Sequence, residues 1–394
     1  MRSFTFFSGV VALLATSAIA EPVAENTCIV PANGFEAIDD SPAINDALKE
    51  CGNGGTIVLP ADQYYSIYTP IDFSSCYNCD FQIEGTLILA TSQLTYFAQY
   101  DRSVFTIANA TGVRIRSTTG SGVINGNAYP WYRRTNWSPK YGGYPFVHIT
   151  NTSSNISVSN LHFKDIQDRV FLLQGNSSNL RFTNLTITAD GINGIYASFD
   201  NFAFEMGQVA NVSVSSVNIA FNQANNMGDT RPVGTCFAFD HGTSAVDIQD
   251  VSCRRAHMGA EIVFGTIYPS IVPSGAGSTA LVENIAVSNF TYAGSHATGV
   301  NSWWNGSKKV IRNVSWEWVT VEDGSAAEFD PCYATMRSTS YWPSCIKAAA
   351  YEVRDVSFRH FRGKVGSPPT DPNWGEVNEF MDVQTVFEDW VADA

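Results

Sequence analysis

Apolar and polar residues alternate along much of the chain, and the alternation slips at regular places. In "NISVSNLHF", from Asn155, apolar Ile156 and Val158 flank Ser157, and apolar Leu161 and Phe163 flank His162. Asn160, between the two runs, shifts the phase by one residue. The pattern returns in "NLRFTNLTI" from Asn179, "NVSVSSVNI" from Asn211, "AVDIQDVSC" from Ala245 and "NIAVSNFTY" from Asn284. Weaker copies are "KKVIRNVSW" from Lys308 and "AYEVRDVSF" from Ala350. Alternation with period two predicts strand. A central Asn, Ser or Asp suits the unusual backbone of a sharp bend. Each copy therefore predicts two short strands joined at a corner.

The copies start 24, 32, 34, 39, 24 and 42 residues apart. A fixed unit with variable insertions predicts a solenoid whose insertions become outer loops. Helical periodicity is almost absent between copies. The expected architecture is all-β: a single-domain, right-handed parallel β-helix over residues 21–394. A β-sandwich would need tight Asn-Gly or Asp-Gly hairpins at regular spacing, and these are sparse. In a β-helix the fourth positions Val158, Phe182, Val214, Ile248 and Val287 form one ladder.

A solenoid must cover its ends. "SPAINDALK" predicts an N-terminal capping helix, with Ser41 as N-cap, Pro42 at the first turn and Ala43, Ile44, Ala47 and Leu48 on one face. Cys28–Cys51 would pin this helix, a loop closure contributing roughly 3 kcal/mol. "VNEFMDVQTVFEDWVADA" is expected to form an acidic cap at the other end.

The first twenty residues change the picture of where the protein works. Arg2, a largely apolar run from Phe6 to Ala15, and Ala18-Ile19-Ala20 predict a secretory signal peptide over residues 1–20. The run is short for a membrane span, and no later stretch is long enough, so no membrane is expected. An even count of eight cysteines agrees with an oxidising compartment. Cys76-x-x-Cys79 has no second ligand pair, so a local disulfide is expected rather than a metal; no metal and no cofactor motif is found. Sequons at Asn109, Asn136, Asn151, Asn155, Asn176, Asn184, Asn211, Asn289, Asn305 and Asn313 are candidate glycosylation sites. A balance of 37 acidic to 23 basic residues, net −14, excludes nucleic acid as a partner class. The expected partner is a polysaccharide or small-molecule ligand, and the chain is expected to act as a monomer.

Three segments together resemble glycoside hydrolase family 28, the polygalacturonases and rhamnogalacturonases. They are "DDSPAINDALKECGNGGTIVLP" (Asp39–Pro60), "GSGVINGNAYPWY" (Gly120–Tyr132) and "NLRFTNLTITADGINGIYASFDNFAFEMG" (Asn179–Gly207). The resemblance implies the β-helix and a secreted enzyme of inverting pectin hydrolysis. It also shows what is replaced. Where the family has N-T-D, this chain has Asp200-Asn201-Phe202. The D-D-C motif becomes Gly234-Thr235-Cys236, after the insertion "ANNMGDTRPVGT" that carries Asp229. G-H-G becomes Ala256-His257-Met258. The cationic R-I-K falls on Asn301, Ser302 and Trp303. The Cys236–Cys253 pair and His257 keep family positions, and Cys332–Cys345 are expected to pair as sequential neighbours.

Inverting hydrolysis requires a general acid and a general base, usually roughly 6.5–9.5 Å apart. The expected replacements are Asp240, beside the Cys236–Cys253 disulfide, with Phe237 and Phe239 inward; Asp229 on the inserted loop; and His257 orienting Asp240 or the ligand. Glu261, Asp200 and Arg255 are candidate ligand contacts, with Trp303 or Trp304 as a stacking surface. His241, on the core parity, is expected to be structural. Two functions stay open at this level. One is a pectinase-like hydrolase acting on a plant or cell-wall polysaccharide or oligosaccharide with a rebuilt acid/base set. The other is a noncatalytic glycan binder or repurposed β-helix (a lyase, isomerase or cyclase) for a less anionic ligand.

Overall fold

The computed structural model describes residues 26–34, 38–90, 103–127, 145–166, 169–189, 202–221, 234–264, 279–302, 308–330, 350–364, 379–389 and 391–392. All pairings between the strands in this set are parallel and join them into one continuous right-handed coil, a parallel β-helix. Three faces alternate along it. On the first, Val147, Phe171, Phe204, Phe237, Ala260, Thr298 and Ala327 are in register. On the second, Val158, Phe182, Val214, Ile248 and Val287 form the expected ladder, continued by Trp316 and Phe358. On the third, Phe163, Ile187, Ile219, Cys253, Tyr292 and Val321 line up.

The ladders meet in a core of stacked like side chains. Rungs of a sheet lie about 4.8 Å apart, which matches offset-stacked rings. Phe171 and Phe204 stack at 4.7 Å between centroids, and Phe204 and Phe237 at 5.1 Å. Trp316 and Phe358 do the same at 4.7 Å. Cys236, on the first face, and Cys253, on the third, form a disulfide across the buried interior. Cys28–Cys51 and Cys76–Cys79 are also bonded. Cys332 and Cys345 lie outside the described residues.

Two corners per coil have left-handed backbone. Asn160, Asn184, Ser216, Asp250 and Asn289, the sixth positions of the copies, all have φ between 47° and 57°. The first positions Asn155, Asn179, Asn211, Ala245 and Asn284 do the same, with φ between 53° and 57°. Amides bridge rungs at both corners: Asn184 Nδ2 donates to Asn160 Oδ1 at 2.9 Å, and Asn313 Nδ2 to Asn284 Oδ1 at 2.7 Å.

That second bond corrects the register of the weaker copies. Asn313 and Asp355, read as central bends, pair with the first-position corner of Asn284. Both corners ask for Asn or Asp between apolar residues, so the pattern slides from one to the other. In these coils the true second corners are Trp318 and His360, at φ 56° and 55°. Neither residue type signals a bend. Their rings instead stack at 3.9 Å.

The corner code also explains the sequons. A corner Asn is followed by an inward apolar residue and an outward Ser or Thr, as in Asn155-Ile156-Ser157 and Asn211-Val212-Ser213. Among the described residues the sequon asparagines Asn109, Asn151, Asn155, Asn176, Asn184, Asn211, Asn289 and Asn313 are exposed, and each has positive φ. The motif therefore recurs from the fold's own local demands. Asn136 and Asn305 lie outside the described residues.

The helix Ser41–Cys51 covers the first coil, burying Ile44, Ala47, Leu48 and Cys51. Two details differ from expectation. Ala43 is exposed, and Ser41 is the first helical residue rather than the cap. Asp39 Oδ1 accepts the Ser41 N–H, while Asp40 turns back to accept from Asn33 and Ser66. Two aspartates thus tie the helix start to the neighbouring coil. The acidic C-terminal segment adds strands Glu379–Glu388 and Val391–Ala392 to the last coil.

Candidate active site

The first face carries two buried glutamates. Along the strand Phe202–Met206, Phe204 and Met206 join the main core, and Glu205 falls between them in the alternation. On the strand Thr235–Phe239, Ala238 occupies the same register, and on Thr243–Phe264 it is Glu261. Ala238 belongs not to the main core but to a separate cluster with Phe202 and Val263. Two glutamates thus sit on one outer ladder with a small residue between them. Two rungs separate their backbones by about 9.6 Å.

Both are buried. Glu205 is 0% exposed and Glu261 5%. Arg169, one rung before Glu205, donates through Nε to Glu205 Oε2, and its guanidinium lies 5.7 Å over the Phe202 ring. Among the described residues, the other oxygen, Glu205 Oε1, has no hydrogen-bond partner. Glu261 Oε1 accepts the Thr235 hydroxyl at 2.9 Å. At the other side of Arg169, His148 shares the register of Leu172 and Glu205. Burial, reinforced by the Arg169 charge, pushes the His148 pKa down to about 4. Its neutral Nε2 accepts from the Gln174 amide at 2.6 Å.

The sequence-derived candidates fall in different places. Asp240 follows core Phe239 and is 0% exposed at the turn leaving the strand. Its Oδ1 accepts the His241 N–H at 2.6 Å and its carbonyl accepts the Thr243 N–H, both within that turn. His257 is half-buried, with its N–H on the Gly234 carbonyl and its ring against His296. Arg255 is exposed at a corner with φ 56°, and Arg254 pairs with Glu322 at 3.3 Å. His241 is satisfied as expected: its Nδ1 accepts the Leu281 N–H, and burial lowers its pKa. Phe202 is buried on the outer side of its strand, under Arg169. Asp229, Asp200, Trp303 and Trp304 lie outside the described residues.

Glu205, Arg169 and His148 escaped the motif comparison. Their signal was local: a charged residue inside the apolar string Phe202-Ala203-Phe204-Glu205-Met206 has to point away from the core or find a partner.

Comparison with known proteins places this geometry in a family context. The profile of the glycosyl hydrolases family 28 matches residues 55–372. A probable endo-xylogalacturonan hydrolase A of Aspergillus flavus is 32% identical over 311 residues, covering 78% of this chain and 70% of the relative. The crystal structure of endo-xylogalacturonan hydrolase from Aspergillus tubingensis aligns with a TM-score of 0.76 and 25% identity, covering 93% of each chain. A family 28 exopolygalacturonase of Yersinia enterocolitica shares the fold at 15% identity and a TM-score of 0.56, covering 93% of this chain and 78% of that one.

Proposed function

Because this chain belongs to the glycosyl hydrolases family 28, we propose that it is an extracellular glycosidase acting on a substituted galacturonan, with Glu205 and Glu261 as its acid/base pair. The observation that carries this reading is the pair itself: two buried carboxyl groups on one ladder, either side of Ala238. A spacing of two rungs, about 9.6 Å between backbones, is compatible with the upper end of the roughly 6.5–9.5 Å between carboxyl groups that leaves room for a water.

Glu205 is the base. Arg169 balances its charge through Oε2, and in this proposal Oε1 accepts from the attacking water. Glu261 is the acid, held by Thr235 and directed at the leaving oxygen. Asp240 Oδ1 accepts the His241 N–H within a turn, and the proposal assigns Asp240 a structural role. Three formed disulfides support an oxidising, extracellular setting, and the exposed corner asparagines are open to N-glycosylation. The 32% identity to a probable endo-xylogalacturonan hydrolase supports a galacturonan backbone with neutral substituents. Asn301 and Ser302 in place of two residues of the cationic clamp point away from unmodified polygalacturonic acid.

Reducing-end release from xylose-substituted galacturonan tests the assignment. Glu205→Gln and Glu261→Gln should each lower kcat by about 100-fold or more, whereas Asp240→Asn should leave it nearly unchanged. Full turnover by either glutamine variant would refute the pair.

A further inference from the structure

The rungs beyond Glu261 hold a second polar group that the carboxylate pair does not use. Met258, His296 and Ser325 share one register, and His296 Nδ1 lies 2.7 Å from Ser325 Oγ. His257 meets the His296 ring edge-on at 5.6 Å. All three polar side chains are half-buried.

The backbone is irregular just here. Register slips occur between Arg254 and Ala256, Tyr292 and Ala293, and Ala293 and His296. Gly324, immediately before Ser325, has φ 102°, and a Cβ there would meet the Gly294 carbonyl at 2.2 Å. The Tyr292 hydroxyl accepts the His296 N–H at 2.9 Å and donates to the Ala256 carbonyl at 2.7 Å, fixing the slipped segment. Bulges re-aim side chains and concentrate beside active sites. Ser325 Oγ, whose hydroxyl also reaches the Ser295 carbonyl at 3.3 Å, thus lies within reach of an imidazole nitrogen, the contact a serine nucleophile needs.

We propose that Ser325 and His296 form a nucleophile–base pair that cleaves carboxylic esters carried by the glycan in the groove. Burial lowers the His296 pKa below the ordinary histidine value, which favours the neutral ring that Nδ1 needs to act as a base. Ser325 Oγ attacks the ester carbonyl carbon while its proton passes to His296 Nδ1. The carbon–oxygen bond to the sugar or alkyl group breaks, and that proton leaves with the alcohol. Water then attacks the acyl-serine and gives one proton to Nδ1; the acid departs, and the proton returns to Ser325 Oγ. The ligand class is an O-acylated sugar or a uronic acid alkyl ester. Neither step uses Glu205 or Glu261, so the two activities stand or fall separately.

The probe is 4-nitrophenyl acetate with the full chain. Wild type should turn it over with an initial burst, and acid quench should leave acetyl on the peptide containing Ser325. Ser325→Ala and His296→Asn should each reduce turnover by about 100-fold or more. Phenylmethylsulfonyl fluoride should modify Ser325 in the wild type, a readout that does not depend on either variant folding. If the pair only clasps two coils together, both variants melt lower and hydrolysis is absent from the wild type or unchanged by Ser325→Ala; either result overturns the proposal.

Discussion

Replacing Glu84 by glutamine should weaken the N-terminal half of the solenoid in a way that depends on pH. Glu84 is 9% exposed, and the loop Ser117–Ser121 wraps its carboxylate. Ser117 Oγ donates at 2.8 Å, Thr118 Oγ1 at 2.7 Å and the Thr119 N–H at 3.2 Å, with the Thr118 N–H and Thr119 hydroxyl adding to them. Gly122 completes the loop because a Cβ there would meet the Ile83 carbonyl at 2.1 Å. Burial alone would raise the Glu84 pKa, but the bonds from Thr119, Thr118 and Ser117 outweigh it and hold the group at about 2, against an ordinary 4.5. That difference corresponds to about 3 kcal/mol of folding stability, reduced somewhat by solvent at the loop's rim. The folded-state pKa is depressed, so this stability is complete above pH 4.5 and disappears as pH falls towards 2. Glutamine presents an NH₂ to the same donors and loses this stability at every pH. Urea unfolding followed by tryptophan fluorescence should therefore give a gap between wild type and Glu84→Gln of about 2–3 kcal/mol at pH 7, closing as pH approaches 2. Subtracting the variant cancels every titrating group the two proteins share. A gap that stayed constant with pH, or was absent at pH 7, would refute the account of this loop.

Other substitutions test the corners, core and site. Ala245 holds an exposed corner at φ 53° where neighbouring coils have Asn211 and Asn284; Ala245→Asn should raise stability by about 1 kcal/mol, seen as a higher Tm. Phe239→Ala removes a fully buried ring and should cost about 3–5 kcal/mol in urea unfolding. Arg169→Gln strands the buried Glu205 and should cost about 3–5 kcal/mol, with much of the loss recovered in the Arg169→Gln/Glu205→Gln double variant. Unmodified polygalacturonic acid should be a poor substrate by reducing-end assay, because Asn301 and Ser302 stand where the clamp would be.

The fold was legible because its rules are local. Alternation located the strands, and Asn160, Asn184 and Asn289 announced their corners through the one common L-residue that accepts left-handed backbone. The reading slipped at Asn313 and Asp355 because the two corners share a signal, and because Trp318 and His360 hold their corner by ring stacking rather than by backbone preference. The site was less legible. Strand parity beside the Cys236–Cys253 disulfide drew attention to Asp240 and a family position to His257; convergence in a solenoid is set by which rungs are neighbours, and insertions of variable length hide that register. Glu205 and Glu261 lie 56 residues apart in sequence and two rungs apart in space. Only the pairing of each strand with Thr235–Phe239 brings them together. His296 and Ser325 were invisible for the same reason, and the bulges that aim them leave no mark on the alternation.

The most direct test of the central claim is the anomeric configuration of the first product. Proton NMR of xylose-substituted galacturonan, recorded within seconds of enzyme addition, reads it before mutarotation. Carboxyl groups two rungs apart predict inversion, with the signal lost in Glu205→Gln and in Glu261→Gln. A product of retained configuration would require groups only roughly 5–5.5 Å apart and would contradict the pairing of Glu205 with Glu261 across Ala238.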